Sequence, residues 1–182
     1  MKLINKPNKI VVDQINNIIH LDWQAIEVAV GLFHKKIEKI SPFDSLLVLV
    51  RGAMVPAAML SHSLNNRNMK FYQGVKTNSN KPHDYGKFRS LLLPKLMPGE
   101  RLLIVEDIIF EGDTVNNAID YVIKCGCVCV GVCSIVIDEN LKNLPAIKRN
   151  SVPLIGAYEC ENLKWIRFPW EIKIDNEISI NF

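Results

Sequence analysis

The stretch RLLIVEDIIFEGDTVNNAIDYV, residues 101–122, is the most informative segment of this chain for its fold class. It begins with a continuous apolar run, which is typical of a strand buried on both faces of a parallel sheet. Two acids, Glu106 and Asp107, end the run, and a short loop containing Gly112 leads to Thr114 at the start of an amphipathic helix. The segment therefore predicts a strand, a turn and a helix, which is the repeating unit of an α/β fold.

A turn of this kind can also bind an anion. The free N–H groups and the positive dipole end of the helix favour a phosphate, and Gly112 lets the backbone approach it closely. Glu106 and Asp107 can accept hydrogen bonds from sugar hydroxyls or hold Mg²⁺ through water. These features favour a ribose-phosphate cradle, while spacing alone leaves open a plain strand-to-helix turn that is capped by Thr114.

The rest of the chain continues the alternation of strand-like and helical patterns. Strands are predicted at 46–50, 70–76, 127–137 and 152–160, and helices at 21–40 with Asp22 as N-cap, from 57 onwards, and at 112–126. Ligands of open parallel sheets bind beyond the carboxyl ends of the strands. The loops that follow Val50, Lys76, Asp107 and Ile137 should therefore converge on one site.

Composition limits the classes of function. The chain has 182 residues, of which 48% are hydrophobic and 23% charged, with a net charge of +3. This is ordinary for one soluble domain, and the positive charge is too small and too dispersed to indicate nucleic-acid binding. No apolar window reaches the length of a membrane span, and the N-terminal segment lacks a signal-peptide core, so we expect a cytoplasmic protein without a membrane partner.

The cysteines and histidines carry weaker signals. Spacing predicts that Cys125, Cys127, Cys129 and Cys133 share one face of a strand, where core packing is favoured over a metal site. The four histidines, among them His34, have no partner at catalytic spacing in the sequence.

Three segments, taken in order, resemble motifs of one family. LLIVEDIIFEGDT (102–114) resembles the ribose-phosphate motif of the type I phosphoribosyltransferases, closest to the hypoxanthine-guanine and xanthine-guanine branch. VRGAMVPAAML (50–60) resembles the pyrophosphate loop of that branch, and WIRFPWE (165–171) resembles its C-terminal signature. Together the motifs extend over most of the chain.

The resemblance implies a fold and an activity. The fold is a parallel-sheet, Rossmann-like α/β fold with helices on both faces and a small hood built from the termini. One domain, 1–182, would comprise a core at about 20–160 and a hood at about 161–182. The activity is Mg²⁺-dependent transfer of a phosphoribosyl group from phosphoribosyl pyrophosphate to a purine-type nucleobase, as in purine salvage, by a homodimer or homotetramer.

The resemblance also gives roles to individual positions. Pyrophosphate would be held by Arg51 and Gly52, ribose by Glu106 and Asp107, the 5′-phosphate by the loop 111–114 with Gly112, Asp113 and Thr114, Mg²⁺ by Glu106, Asp107 and Glu171, and the base by Trp165 and Ile166. Lys76 is a further candidate from its position alone, because it ends a predicted strand and could reach the pyrophosphate. Trp165 would stack on the base, and Ile166 would contact it through its backbone. Asp113 is also expected to cap the helix, and Tyr85 in the polar loop 77–88 would belong to a lid.

Three positions depart from the family pattern. Phe110 occupies the place of an aspartate that handles a proton of the base, and a phenylalanine cannot move a proton. Glu111 replaces a threonine that contacts the phosphate; a carboxylate about 4 Å away would cost about 4 kcal/mol per charge pair. Glu111 would have to turn outward, bind Mg²⁺, be protonated, or swing towards the base as the missing proton acceptor. Asp138 replaces a lysine that donates to a 6-oxo group, so it either favours a 6-amino base or merely begins a loop.

The departures leave three hypotheses. The first is an active transferase with the roles above. The second, motivated by Phe110 and Glu111, is a catalytically silent relative that binds a nucleotide or phosphoribosyl ligand and regulates a process. The third, motivated by Glu111, is a hydrolase or transferase that acts on an unphosphorylated ribosyl group.

Overall fold

A computed structural model describes residues 10–13, 18–40, 42–76, 88–138, 152–160 and 165–171. In chain order the elements are β1 (Ile10–Asp13), β2 (Ile18–Leu21), α1 (Trp23–Ile37), β3 (Ser45–Val50), α2 (Met54–Ser63), β4 (Met69–Lys76), β5 (Phe88–Leu92), β6 (Arg101–Ile109), α3 (Asp113–Lys124), β7 (Val128–Asp138), β8 (Leu154–Cys160) and β9 (Trp165–Arg167). Tyr85 and the predicted lid around it lie outside the described residues, as do the side chains of Lys76 and Trp165.

The main sheet has six strands in the order β5-β4-β3-β6-β7-β8. All neighbours pair in parallel except β5, which runs antiparallel to β4 at the edge. The five parallel strands are the five that the sequence predicts. Their carboxyl ends meet at one edge of the sheet, which is where α/β proteins bind ligands.

The helices cover both faces of this sheet, as the family resemblance implies. The apolar residues of α1 and α2 share one core with the alternate residues of the central strands, and those of α3 share a second core on the opposite face. The strands can be apolar without interruption because both of their faces are buried.

The ends of two helices follow the sequence signals. The Asp22 side chain accepts a hydrogen bond from the backbone N–H of Ala25 at 2.8 Å, which confirms Asp22 as the N-cap of α1. The helix begins at Trp23 instead of Leu21, because Leu21 is the last residue of β2. The second signal is Gly126, which is expected to stop α3. The helix ends two residues before it, and Gly126 has a φ of 72° that few other residues adopt.

A small second sheet joins the two ends of the chain. β1 pairs with β2 in antiparallel orientation, and β2 pairs in parallel with β9 in the order β1-β2-β9. Ile19 and Ile166 are register partners, and both side chains are buried in the core that contains α1. We call this sheet the hood, after the element that the resemblance builds from the termini; its three strands are too short for the sequence pattern alone to predict them.

The cysteines do not share one face, so that prediction is wrong. Cys127 belongs to the core on the α3 side, whereas Cys133 belongs to the core on the α1 side. A register shift explains the difference: Leu102 pairs with Cys129 but Leu103 pairs with Gly131, so one extra residue reverses the alternation of side chains. None of the five cysteines, all of which lie in the described residues, forms a disulfide, and burial raises the pKa of Cys129 to about 11.

Candidate active site

The acid pair at the end of β6 faces two different cavities. Glu106 is only 8% exposed and lines a cavity beside the start of α3, whereas Asp107 lines a second cavity beside the loop after β3. Neighbouring residues of a strand project to opposite faces, which places the two carboxyl groups on different sides of the sheet edge. Because both acids lie in β6, this single strand supplies an acid to each cavity.

The two carboxyl groups also affect each other. Burial, followed by the charge of Asp107, raises the pKa of Glu106 well above its usual range, and burial raises the pKa of Asp107. The Asp107 N–H donates to Glu106 Oε1 at 3.0 Å, and the Ile108 N–H donates to Asp107 Oδ1 at 2.9 Å. The negative charge of Asp107 thereby disfavours ionisation of Glu106.

The loop after β3 packs directly against the acid pair. It contains a cis peptide bond between Val50 and Arg51, and α2 begins at Met54. A side chain at position 52 would overlap the carboxyl group of Asp107, so any residue larger than glycine would require that carboxyl group or the loop to shift. Arg51, Gly52 and Asp107 thereby line one space, as the convergence of the loops predicts.

We call this space the β3–β6 cavity; it has a volume of about 540 Å³. It is lined by Val50, Arg51, Gly52, Gln73, Gly74, Asp107, Trp170 and Glu171. Sequence analysis missed Gln73 and Gly74. A glycine inside a strand marks a bulge or a close approach, and the pairing of β4 with β5 does shift between these two residues.

The segment after β9 completes the cavity wall. Glu171 Oε2 accepts a hydrogen bond from the Phe168 N–H at 3.1 Å, and the Glu171 N–H donates to the Phe168 carbonyl at 3.0 Å. The Trp170 ring stacks on Phe168, with centroids 4.7 Å apart and planes at 6°, and a tilted contact of 6.2 Å joins it to Trp23. The aromatic packing holds Glu171 at the cavity that contains Asp107.

The second space, the β6–α3 cavity, surrounds the start of α3. It has a volume of about 190 Å³ and is lined by Glu106, Ile108, Ile109, Phe110, Glu111, Gly112, Asp113, Thr114 and Val115. Gly112 is the N-cap, with a φ of 80° and no side-chain capping bond. The expectation that Asp113 or Thr114 caps the helix is therefore wrong. Asp113 is instead the first helical residue, where its charge favours the helix dipole.

Asp138 lies at the same edge of the sheet. It is the last residue of β7 and is 5% exposed, and Ile137 before it pairs with Ile109, the last residue of β6. The predicted strand end is thus confirmed to within one residue, and a contact between Asp138 and a base stays a prediction. In the hood, Ile166 is buried and in register with Ile19, and Trp165 precedes it in β9.

The carboxylates of the β3–β6 cavity suit a Mg²⁺ ion that is shared with water and substrate. They do not suit a metal site that is made of protein ligands alone. Among the described residues, no group of three or more His, Cys, Asp or Glu side chains could hold a metal. Mg²⁺ in phosphate-handling enzymes usually has one or two carboxylate ligands and takes its other oxygens from water and substrate. Asp107 and Glu171 in one cavity with Arg51 fit that arrangement, whereas Glu106 lines the other cavity.

One polar cluster away from both cavities was missed. His34 Nδ1 lies 2.7 Å from Ser63 Oγ, and His34 Nε2 lies 3.4 Å from Glu38 Oε1. Spacing in the sequence could not reveal the contact with Ser63, because Ser63 is 29 positions away and packing of α1 on α2 brings it close. The cluster is exposed and links the two helices.

Comparison with known proteins identifies the class that this fold and site define. The sequence matches the phosphoribosyl transferase domain family over residues 12–177, nearly its whole length. The chain belongs to the phosphoribosyltransferase family, as the three motifs imply. It has the type I fold of that family and is a pentosyltransferase. No match was found among curated proteins.

Solved structures share the fold at low sequence identity. A purine phosphoribosyltransferase from Pyrococcus horikoshii is 21% identical, with a TM-score of 0.66 over 86% of this chain and 95% of that one. A hypothetical protein from Neisseria gonorrhoeae with bound ppGpp is 18% identical, with a TM-score of 0.70 over 88% and 92%. The xanthine-guanine-hypoxanthine phosphoribosyltransferase of Helicobacter pylori is 13% identical, with a TM-score of 0.64 over 87% and 97%. Among the described residues, no helix is long and apolar enough to cross a membrane.

Proposed function

We propose that the protein transfers the phosphoribosyl group of phosphoribosyl pyrophosphate to a purine-type nucleobase, with Mg²⁺, and releases pyrophosphate. One observation carries the proposal: Arg51, Gly52, Asp107 and Glu171 line one cavity although they come from three distant parts of the chain. A cation, a glycine backbone and two carboxylates are the groups that a magnesium diphosphate requires.

The β3–β6 cavity would hold the pyrophosphate. The Arg51 guanidinium offers paired donors to phosphate oxygens, and Gly52 lets the backbone approach them, with Lys76 at the end of β4 as a further cation. Asp107 and Glu171 would hold Mg²⁺, which when bound neutralises charge on the departing pyrophosphate. A cavity of about 540 Å³ can accommodate a diphosphate together with part of a ribose.

The acid pair and the start of α3 would hold the ribose and its 5′ end. The Glu106 and Asp107 carboxyls can accept hydrogen bonds from the ribose hydroxyls. Gly112 and Thr114 present backbone N–H groups of the first helical turn to the 5′-phosphate. Because C1 of the ribose would then lie between the two cavities, pyrophosphate can leave on one side and a base nitrogen can attack on the other.

The base would lie beside the ends of β7 and β9. Trp165 would stack on it, Ile166 would contact it through the backbone, and Asp138 would accept a hydrogen bond from an amino group. Glu111 is the proposed proton acceptor in place of Phe110. The purine-type choice rests on the purine motifs, since the structural relatives also include adenine and orotate phosphoribosyltransferases. A cytoplasmic role in purine salvage, as a dimer or tetramer, belongs to the same proposal.

The second candidate function is that of a catalytically silent relative that binds a ligand. The observation that supports it is the phenylalanine at position 110. The ring lies in the loop that follows the acid pair, where the resemblance implies a proton-handling aspartate. Binding of phosphoribosyl pyrophosphate without turnover of any base would favour this candidate over the transferase.

The deciding experiment is pyrophosphate release with a panel of nucleobases, in Mg²⁺ and in chelator. We expect saturable release with at least one purine-type base, lost in chelator and reduced at least about 100-fold in Arg51→Ala. Arg67→Ala is the matched control, because Arg67 is exposed and lies outside both cavities. No release with any base would contradict the proposed transfer.

A further inference from the structure

The carboxylate of Glu171 is tied to a short turn that follows β9. The Glu171 N–H donates to the Phe168 carbonyl at 3.0 Å, and Glu171 Oε2 accepts from the Phe168 N–H at 3.1 Å. Both hydrogen bonds join residue 171 to residue 168, so the carboxylate moves together with the turn 168–171. The contacts that fix this turn therefore also fix where Glu171 lies relative to Asp107 in the β3–β6 cavity.

Two aromatic contacts fix the turn. The Phe168 side chain is 3% exposed and belongs to the core that contains α1, and the Trp170 ring stacks on it at 4.7 Å. On Trp170 in turn lies the ring of Trp23, the first residue of α1, at 6.2 Å and with the planes tilted by 54°. Aromatic pairs favour tilted and offset arrangements of this kind. The turn is thus held by the core through Phe168 and by α1 through Trp23.

The pairing of β2 with β9 brings Trp23 to this place. His20 and Arg167 are register partners in parallel strands, so the chain that leads into α1 lies beside the chain that leads into the turn. Trp23 is half-exposed and is not among the described residues that form either hydrophobic core. Core packing therefore does not account for a tryptophan at position 23, whereas support of the Trp170 ring does.

We propose that Trp23 is a positioning residue for the metal site: through Trp170 it holds the turn 168–171 so that Glu171 and Asp107 bind one Mg²⁺ ion in the β3–β6 cavity. This inference rests on the proposed function, which places Mg²⁺ and pyrophosphate in that cavity. Mg²⁺ tolerates little departure from octahedral geometry, so a displaced carboxylate is a weaker ligand. Residues that orient metal ligands typically contribute about 10-fold to 100-fold to metal affinity.

Calorimetry of pyrophosphate binding over a range of Mg²⁺ concentrations tests the inference without a base and without turnover. Trp23→Ala should need at least about tenfold more Mg²⁺ than the wild type for half-maximal binding. At saturating Mg²⁺ its pyrophosphate affinity should return to within about threefold of the wild-type value, because excess metal compensates by mass action. Trp23→Phe keeps an aromatic ring on Trp170 and should change the Mg²⁺ requirement by no more than about threefold.

The substitution itself should not disturb folding. Alanine is the best helix former, and position 23 is half-exposed at the start of α1, so we expect Trp23→Ala to fold, which circular dichroism checks. If it does not fold, Trp23→Leu takes its place, because leucine keeps an apolar side chain but has no ring, and it should show the same shift in Mg²⁺ requirement.

Glu171→Gln separates positioning from general destabilisation. It removes the charged ligand that Trp23 is proposed to position, so adding Trp23→Ala to it should change the Mg²⁺ requirement by no more than about twofold. Ile123→Ala is the matched control, because Ile123 is also a helical residue that is 50% exposed and it lies outside both cavities. It should leave the Mg²⁺ requirement unchanged.

Three results would overturn the inference. They are a wild-type Mg²⁺ requirement in Trp23→Ala, an equal shift in Ile123→Ala, and a full additional shift when Trp23→Ala is added to Glu171→Gln. Loss of pyrophosphate affinity in folded Trp23→Ala that saturating Mg²⁺ does not restore would also count against it, because that loss would not act through the metal.

The failure of this inference differs from the failure of the proposed function. Pyrophosphate release by the wild type, together with an unshifted Mg²⁺ requirement in Trp23→Ala, overturns the inference alone. The predicted shift without release from any base supports the inference and overturns the proposed transfer. A wild-type protein that binds no pyrophosphate at any Mg²⁺ concentration overturns both.

Discussion

Gly52 and Asp107 lie so close together that a methyl group on Gly52 would overlap Asp107 Oδ2. The contact joins the loop after β3 to the end of β6, two strands that are adjacent in the sheet but far apart in sequence. It means that the geometry of the Arg51 loop and that of the acid pair depend on each other.

Gly52→Ala tests this dependence. The added methyl group must displace the Asp107 carboxyl group or the Arg51 loop, so we expect kcat/KM for phosphoribosyl pyrophosphate to fall at least about 100-fold. Gly31→Ala is the control, because a Cβ at Gly31 contacts nothing and the helix favours alanine. Steady-state kinetics of both variants, with circular dichroism as a check of folding, measures the effect, and full activity in Gly52→Ala would refute the steric argument.

The raised pKa of Glu106 predicts a stability change with pH. Burial, followed by the charge of Asp107, favours the protonated form, so the folded protein loses stability as the pH rises above the ordinary Glu value of about 4.5 towards the raised pKa. Glu106→Gln mimics the protonated acid. We expect its free energy of unfolding near pH 8 to exceed that of the wild type by on the order of 1–3 kcal/mol, with little difference near pH 4.

Chemical denaturation between pH 4 and pH 8 measures the Glu106 effect. Asp44→Asn, in an exposed residue before β3, is not expected to reproduce the gain at high pH. An equal difference between Glu106→Gln and wild type at every pH would show that protonation of Glu106 is not its cause.

Glu100 makes the opposite prediction. Burial raises its pKa, but hydrogen bonds from Ser45 Oγ at 2.7 Å, the Met97 N–H at 3.1 Å and the Lys70 ammonium group together lower it. Stability from these bonds is present above the ordinary pKa and is lost as the pH falls through the lowered one. We expect Glu100→Gln to cost on the order of 1–3 kcal/mol at pH 7 and much less in acid.

The same denaturation series, extended to pH 3, tests the Glu100 network. Glu38→Gln serves for comparison, because Glu38 is exposed and its contact with His34 is a surface interaction of small effect. Equal stability of Glu100→Gln and wild type at pH 7 would contradict the account of this network.

Phe110→Asp tests proton transfer at the position where the family resemblance implies an aspartate. An acid at position 110 would take the proton of the base directly, so kcat with the preferred base should rise above the rate that Glu111 supports, by up to about 100-fold. Phe110→Asn has a similar size without a titratable group and should not accelerate transfer. If both variants have the wild-type kcat, then proton transfer at position 110 does not limit the reaction.

The sequence predicted the central sheet because its strands are buried on both faces and are therefore uninterrupted apolar runs. The order Glu106, Asp107, loop, Gly112 likewise predicted the turn from β6 into α3 and a glycine where φ is positive, although the N-cap was expected at Asp113 or Thr114. In these segments local pattern and tertiary environment agree, and the boundaries differ by only a few residues.

The other parts of the fold and of the site depend on contacts between distant segments of the chain, which a local sequence pattern does not contain. The hood strands are three or four residues long and are held by pairing between the two ends of the chain. The regular alternation of side chains between the two faces of the sheet, from which the cysteines were predicted to share one face, is reversed by the bulge beside Cys129. The two acids occur together in the sequence, but only the structure shows that Glu106 and Asp107 line different cavities.

The most direct test of the account is pyrophosphate release from phosphoribosyl pyrophosphate and a panel of nucleobases in Mg²⁺. The account predicts saturable release with a purine-type base, at least about 100-fold slower in Arg51→Ala and unchanged in Arg67→Ala. Tight binding of phosphoribosyl pyrophosphate without release from any base would contradict it.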